Sequence, residues 1–183
     1  MSDQRILGVV GAGNMGSGIA QKIAMEGFKV ILVDLGDDQV ARGLDIIEKT
    51  LAEAVERKIV TPQGKEEIQA RVEGTTDWSR LADAELVIEA VFENLEVKQD
   101  VFKRLGENTK ADTILATNTS SFYVRDVAAV TPNPERVVGL HYFYHPAKNR
   151  LVEVVPHEGT AADVTERSCC LLYTSPSPRD LAV

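Results

Sequence analysis

The run Gly11-Ala12-Gly13-Asn14-Met15-Gly16 lies between an apolar segment, Arg5-Ile6-Leu7-Gly8-Val9-Val10, and a series of apolar residues at helical spacing. A G-x-G-x-x-G that follows a strand and opens a helix uses Gly11 for a tight turn, Gly13 for close approach of backbone to ligand, and Gly16 for close helix packing. Met15, Ile19, Ile23 and Ala24 recur on one face of that helix, and Gly27 stops it. Lys29-Val30-Ile31-Leu32-Val33-Asp34 is a second apolar run, as buried parallel strands read. Residues 5–34 therefore predict a βαβ unit, the arrangement that most limits what this chain can become.

The chemistry of that unit is phosphate recognition. A helix N-terminus presents unpaired N–H groups and the positive end of a dipole, so Gly11, Gly13, Asn14, Met15 and Gly16 are candidates to hold a dinucleotide pyrophosphate. Asp34, at the end of the second strand, is placed to accept the adenosine ribose hydroxyls and to repel a 2′-phosphate. No basic residue follows until Arg42, so the expected cofactor is NAD rather than NADP. The competing reading gives the glycines only turn and packing roles and makes Asp34 a helix cap.

Strand and helix patterns alternate from there on. Asp38 to Lys58 reads as an amphipathic helix with Val40, Leu44, Ile47, Leu51, Ala54 and Val55 on one face. Gln63 to Arg71 reads as a shorter helix and Gly74-Thr75-Thr76-Asp77 as a loop. Strands are expected at Leu86–Ile88, Thr113–Ala116, Val137–Leu140 and Leu151–Val155, with a helix from Leu95 to Gly106. This order predicts an α/β fold, a Rossmann-type doubly wound, mostly parallel sheet, in a single domain over residues 1–167. Residues 168–183 show neither period and hold Cys169, Cys170, Pro176 and Pro178, so they read as a tail outside the fold. Within that tail, Leu171 to Asp180 reads as translated adapter or read-through sequence, or else as a natural flexible end.

Composition excludes several functions. A net charge of −8 on 183 residues has the wrong sign for a nucleic-acid or anionic-membrane partner. No apolar stretch approaches the roughly 18 residues of a spanning helix, and Met1 to Arg5 lacks a secretory core, which leads to a cytoplasmic expectation. The adjacent Cys169 and Cys170 suit neither a disulfide framework nor spaced metal ligands, so no metal is expected.

In an open α/β sheet, ligands bind beyond the carboxyl ends of the strands. Those ends carry Glu89 and Glu93, then Asn118-Thr119-Ser120-Ser121, then His141. Ser120 or Ser121 could equally cap a helix, and Glu93 could simply favour the start of the next one. Lys98 lies near that start, where a cation opposes the dipole; an anionic ligand would explain it, as would plain solvation. His141 and Glu153 are symmetric about residue 147, so a chain reversal at Pro146-Ala147-Lys148 sets them opposite each other on antiparallel strands. A carboxylate there fixes the imidazole tautomer and stabilises the imidazolium formed when the histidine takes a proton. A structural ion pair is the alternative, and His145 and His157 read as loop residues.

With these residues in place the chain resembles the NAD-binding domain of the 3-hydroxyacyl-CoA dehydrogenase family over about residues 5 to 167. The matching stretches are Gly11 to Ala20, Val87-Ile88-Glu89-Ala90-Val91-Phe92-Glu93 with Lys98, Asn118 to Ser121, and Gly139-Leu140-His141 leading to Leu151-Val152-Glu153-Val154. The resemblance implies NAD-dependent oxidation of (3S)-hydroxyacyl-CoA to 3-ketoacyl-CoA, as in fatty-acid β-oxidation. It implies His141 as base, Glu153 as its orienting acid, Ser120 with Asn118 at the acyl-CoA substrate, and Asp34, Glu93, Lys98 and Ser120 at the cofactor. A binding module without turnover is the competing function. The family usually continues Phe-Phe-Asn-Pro after the histidine, whereas this chain has Tyr142-Phe143-Tyr144-His145-Pro146, a replacement that bears on substrate fit and not on the His141–Glu153 pair. The family's helical C-terminal domain, through which a full-length parent forms a homodimer, is expected to be absent.

Overall fold

The computed structural model describes residues 5–173 and contains seven strands in one sheet. In chain order they are β1 (Ile6–Val10), β2 (Lys29–Val33), β3 (Val72–Thr75), β4 (Leu86–Glu89), β5 (Ile114–Thr117), β6 (Val137–Tyr142) and β7 (Val152–Pro156). The helices are α1 (Asn14–Met25), α2 (Asp37–Glu56), α3 (Pro62–Ala70), α4 (Leu95–Asn108), α5 (Val124–Ala128) and α6 (Ala162–Tyr173). The sheet runs β3-β2-β1-β4-β5-β6-β7, and every pairing is parallel except β6 with β7. Strand order reverses between β1 and β4, the switch point where such sheets open a crevice at their carboxyl ends. The expected mostly parallel, doubly wound architecture is the one observed.

Apolar residues occupy both faces of the central strands. Val30 and Leu32 join the cluster around α1, with Ile19 and Ile23, whereas Ile31 and Val33 join Phe102 and Leu105 of α4 on the opposite face. Successive strand residues point to opposite faces, so a run with no polar interruption is buried twice over. That burial holds the helices against the sheet and fixes which strand ends meet.

Two expectations are corrected. Residues Val72–Thr75, half of them expected in a loop, form the edge strand β3, in parallel register with Val30 to Val33. Gly74 there lacks a side chain because Val40 and Leu44 of α2 press onto the position, so the glycine marks close packing. The expected boundary at Arg167 is also crossed, since α6 continues to Tyr173. Ser168 is fully buried, and Leu171, 6% exposed, packs in the same core as Val164 and Ile114. Burial at helical spacing, Val164 to Ser168 to Leu171, overrides the unpromising composition of this segment. The remainder of the expected tail, 174–183, lies outside the described residues.

Leu171 tests this packing. Leu171→Ala should destabilise the fold by about 2–5 kcal/mol, the cost of an internal leucine truncation. Thermal unfolding should register it as a fall of roughly 2–4 °C per kcal/mol; an unchanged midpoint would show that α6 contributes nothing beyond Arg167.

Candidate active site at the carboxyl ends of the strands

The first wall of the site is the turn from β1 into α1. Gly11 has φ +105°, and its N–H donates to Val33 O at 2.8 Å, which ties the turn to the end of β2. A Cβ on Gly16 would lie 1.7 Å from Gly11 O, so only glycine lets the helix begin this close to the strand. A Cβ on Gly13 would meet nothing within 4 Å. Open space therefore faces Gly13, at the start of a 12-residue helix whose first turn holds no acidic residue and whose end no side chain caps. Such an end attracts an anion. Asn14 is exposed at this end, and Met15 is half-buried beside it.

Asp34 stands where the two strands meet this turn. One carboxylate oxygen accepts from Ala12 N at 2.7 Å and the other from Leu35 N at 2.7 Å. A carboxylate offers about four lone-pair positions, so capacity remains for two vicinal hydroxyls. Asp37 and Asp38 follow in the first turn of α2 and make the surroundings hostile to a further phosphate. The residues present thus suit a dinucleotide whose ribose is not phosphorylated.

The second wall joins β4, α4 and the segment after β5. Glu89, fully buried, accepts from Lys98 Nζ at 2.7 Å and Val91 N at 2.8 Å through one oxygen and from Thr117 Oγ1 at 2.7 Å through the other. Lys98 is itself only 1% exposed and reaches Glu93 at 3.1 Å. Desolvation, the largest single influence, pushes the Glu93 carboxyl up. The Thr119 hydroxyl and the Lys98 charge outweigh it and hold the group below the ordinary carboxylate range. Sequence reasoning offered Lys98 an anionic ligand or solvent; its partners are these two carboxylates, and removing one member of the buried Lys98–Glu89 pair costs about 3–5 kcal/mol. Glu93 in turn accepts from the Thr119 hydroxyl and from Ser120 N, the latter at 3.2 Å. Neither serine caps a helix: α5 begins after Tyr123, and α4 is capped by Asn94, which accepts from Val97 N at 3.1 Å.

The third wall is the β6–β7 pair. His141 and Glu153 are directly opposite in its antiparallel register, as their symmetry about residue 147 required. His141 Nδ1 and Glu153 Oε2 are 2.9 Å apart. An ionised carboxylate only accepts, so Nδ1 carries a hydrogen, and in the neutral imidazole Nε2 then keeps its lone pair. Asn118 Oδ1 accepts from Tyr142 N at 2.8 Å, which leaves its amide nitrogen as the remaining donor end. The connection between the two strands lies over α1, where Pro146 occupies the space that a side chain on Gly18 would need. His145 is half-buried, and burial holds its imidazole below the ordinary range. His157 bridges Pro134 O and Gly159 N.

These walls enclose a hollow of about 380 Å³. Met15, Glu93, Lys98, Asn118, Ser120 and His141 all line it, and so does Tyr144. Asp34 lies instead at the glycine turn. Among the described residues no cluster of three or more His, Cys, Asp or Glu side chains could hold a metal ion, and no helix is long and apolar enough to cross a membrane.

A family of domains described as "3-hydroxyacyl-CoA dehydrogenase, NAD binding domain" matches residues 6–174. The chain is 41% identical over 169 residues to a 3-hydroxyadipyl-CoA dehydrogenase of Escherichia coli K12, covering 92% of this chain and 36% of that protein. It is 39% identical over 163 residues to a probable 3-hydroxybutyryl-CoA dehydrogenase of Deinococcus radiodurans, covering 87% and 58%. The crystal structure of a 3-hydroxybutyryl-CoA dehydrogenase from E. coli K12 superposes with a TM-score of 0.91 at 40% identity, over 96% of this chain and 37% of that one. An (S)-3-hydroxybutyryl-CoA dehydrogenase from Ralstonia eutropha gives 0.91 at 32% identity, over 94% and 61%. The chain thus spans less than two thirds of each of these relatives.

The two glycines at the turn should respond differently to alanine. Gly13→Ala should change stability by no more than about 0.5 kcal/mol, whereas Gly16→Ala should cost about 1–3 kcal/mol or more, because backbone and not a movable side chain opposes it. Denaturant unfolding of both variants checks this order.

Proposed function

From the premise that the chain belongs to the family of 3-hydroxyacyl-CoA dehydrogenase NAD-binding domains, we propose that it serves the oxidation of a (3S)-hydroxyacyl-CoA to the 3-ketoacyl-CoA, in fatty-acid β-oxidation or related acyl-CoA metabolism. The observation that carries this reading is the 2.9 Å contact of Glu153 with His141, which lines a hollow that Met15 of α1 also lines. NAD⁺, when bound, supplies the hydride acceptor. Gly11, Gly13, Asn14, Met15 and Gly16 hold its pyrophosphate, and Asp34 takes the ribose hydroxyls. Glu93, Lys98 and Ser120 hold its nicotinamide end.

In this reading His141 Nε2 removes the proton of the substrate's 3-hydroxyl as C3 loses hydride, so a carbonyl forms and the imidazole becomes imidazolium. Glu153 keeps the ring in the tautomer whose Nε2 is free and stabilises the positive charge that develops. The Ser120 hydroxyl and the Asn118 amide nitrogen bind the substrate oxygen. To the same proposal belong a cytoplasmic setting, which the two adjacent cysteines support, and a homodimeric parent, which only the family resemblance supports.

Two measurements test the reading. Asp34→Ala should weaken NADH binding by about 1.5–3 kcal/mol, the worth of charge-assisted hydrogen bonds, and equal affinities of the unaltered chain for NADH and NADPH would contradict the assigned cofactor. For the chemistry, NADH oxidation dependent on acetoacetyl-CoA is followed in the chain and its variants. His141→Ala should lower kcat about 10²–10⁴-fold with NADH affinity nearly intact, and Glu153→Gln should cost less because it retains an acceptor oxygen. NADH binding with no turnover in the unaltered chain would favour a module that only binds; turnover undiminished in His141→Ala would make the pair structural.

A further inference from the structure

The reaction described above leaves Glu89 without a role. A carboxylate with no exposure at the end of a central strand is costly, and an apolar pair in place of Glu89 and Lys98 would serve the core at least as well. Its hydrogen bonds lead elsewhere. Through one oxygen Glu89 holds Thr117 Oγ1, and Thr117 Oγ1 accepts from Thr119 N at 3.3 Å. Through the other it holds Lys98, which holds Glu93, which holds the Thr119 hydroxyl and Ser120 N. Its backbone oxygen takes Asn118 N at 2.9 Å. Three routes from one residue thus end on consecutive positions, 118, 119 and 120.

We propose that Glu89 is a positioning residue that sets the 118–120 segment, and with it the contacts made by Ser120, both by anchoring the Thr117 hydroxyl that accepts from Thr119 N and by neutralising Lys98 so that Glu93 is free to hold that segment. Glu93 is the shared element. It is more exposed than Lys98, with 39% of its side chain accessible, and it serves Lys98 through one oxygen and the 119–120 segment through the other. With the Glu89 charge removed, Lys98 keeps a single carboxylate, and both oxygens of Glu93 are drawn toward the buried ammonium. Ser120 N and the Thr119 hydroxyl then lose their acceptor. Glu89 touches neither substrate nor cofactor and acts through Lys98, Glu93 and Thr117.

This inference rests on the reading that the nicotinamide end of NAD lies in the hollow lined by Ser120. The experiment compares NADH with ADP-ribose, which has the adenosine and both phosphates but no nicotinamide, against the chain, Glu89→Gln and Thr117→Val. The second variant keeps every charge and cuts only the Thr117 route, so it carries the test if Glu89→Gln does not fold. Each folded variant should bind NADH about tenfold more weakly while ADP-ribose affinity stays within about twofold, as the loss of one or two hydrogen bonds at the nicotinamide end alone requires. Equal weakening of both ligands would mean that Glu89 only stabilises the fold, and unchanged NADH binding in folded variants would overturn the proposal outright. If the unaltered chain binds NADH no more tightly than ADP-ribose, the assignment of the hollow to the nicotinamide falls, and this inference falls with it.

Discussion

A helix can begin directly beyond the end of a strand only if the two backbones nearly touch, and in this protein they do so at Gly11 and Gly16. The 1.7 Å that would separate a Gly16 Cβ from Gly11 O leaves no room for any side chain. With α1 seated there, its N-terminus faces the crevice opened by the reversal of strand order between β1 and β4. Its flank also receives Pro146, against Gly18, from the connection that joins His141 to Glu153. Loosening the turn would therefore shift the start of α1 and the support of the β6–β7 connection together. The rest of the site depends on this contact.

Burial supplies the second constraint. A parallel sheet covered on both faces brings several strand ends to one side, and the polar groups there must find partners within the protein. Glu89, Lys98 and Thr117 are all buried, and each has its charge or hydroxyl engaged. Their linkage extends outward to Glu93 and Ser120, where exposure rises. A charge fixed inside thus bears on the geometry of groups at the mouth of the hollow, and the low dielectric around it makes the arrangement stiff.

How much of this is legible in the sequence depends on the range of the interaction. The β1–α1–β2 unit and the six strands other than β3 rest on local apolar periodicity and are readable. The symmetric placement of His141 and Glu153 about residue 147 is also local, because a hairpin-like reversal fixes register within a dozen positions. Val72–Thr75 has no such signal: Glu73 and Gly74 break its pattern, and what makes it a strand is the edge that β2 offers. Leu171 looks like part of a structureless tail until Val164 and the sheet give it a place to pack. Lys98 shows the limit most clearly, since its environment is set by Glu89, a residue on a different element. A lysine opposing a helix dipole signals that something compensates it without saying what.

The one antiparallel pairing in the sheet bears on why His141 and Glu153 come from neighbouring strands. In a parallel sheet, adjacent strands are joined by long crossovers, so cross-strand partners are far apart in sequence and each arrives through a separate packing event. Adding β7 antiparallel to β6 replaces the crossover with a short reversal. Cross-strand neighbours then follow from counting residues about the turn, and the side-chain period of two puts both groups on the same face. The face is decided by the rest of β6: Val138 and Leu140 point into the core and His141 does not. A shift of one residue in register would leave the core packing of β6 unchanged but move Glu153 to the opposite face from the imidazole. Burial of Val138 and Leu140 fixes the face of His141, and Val152 and Val154 of β7, packed against the same cluster, fix that of Glu153, so the imidazole and the carboxylate are held in contact without a dedicated brace.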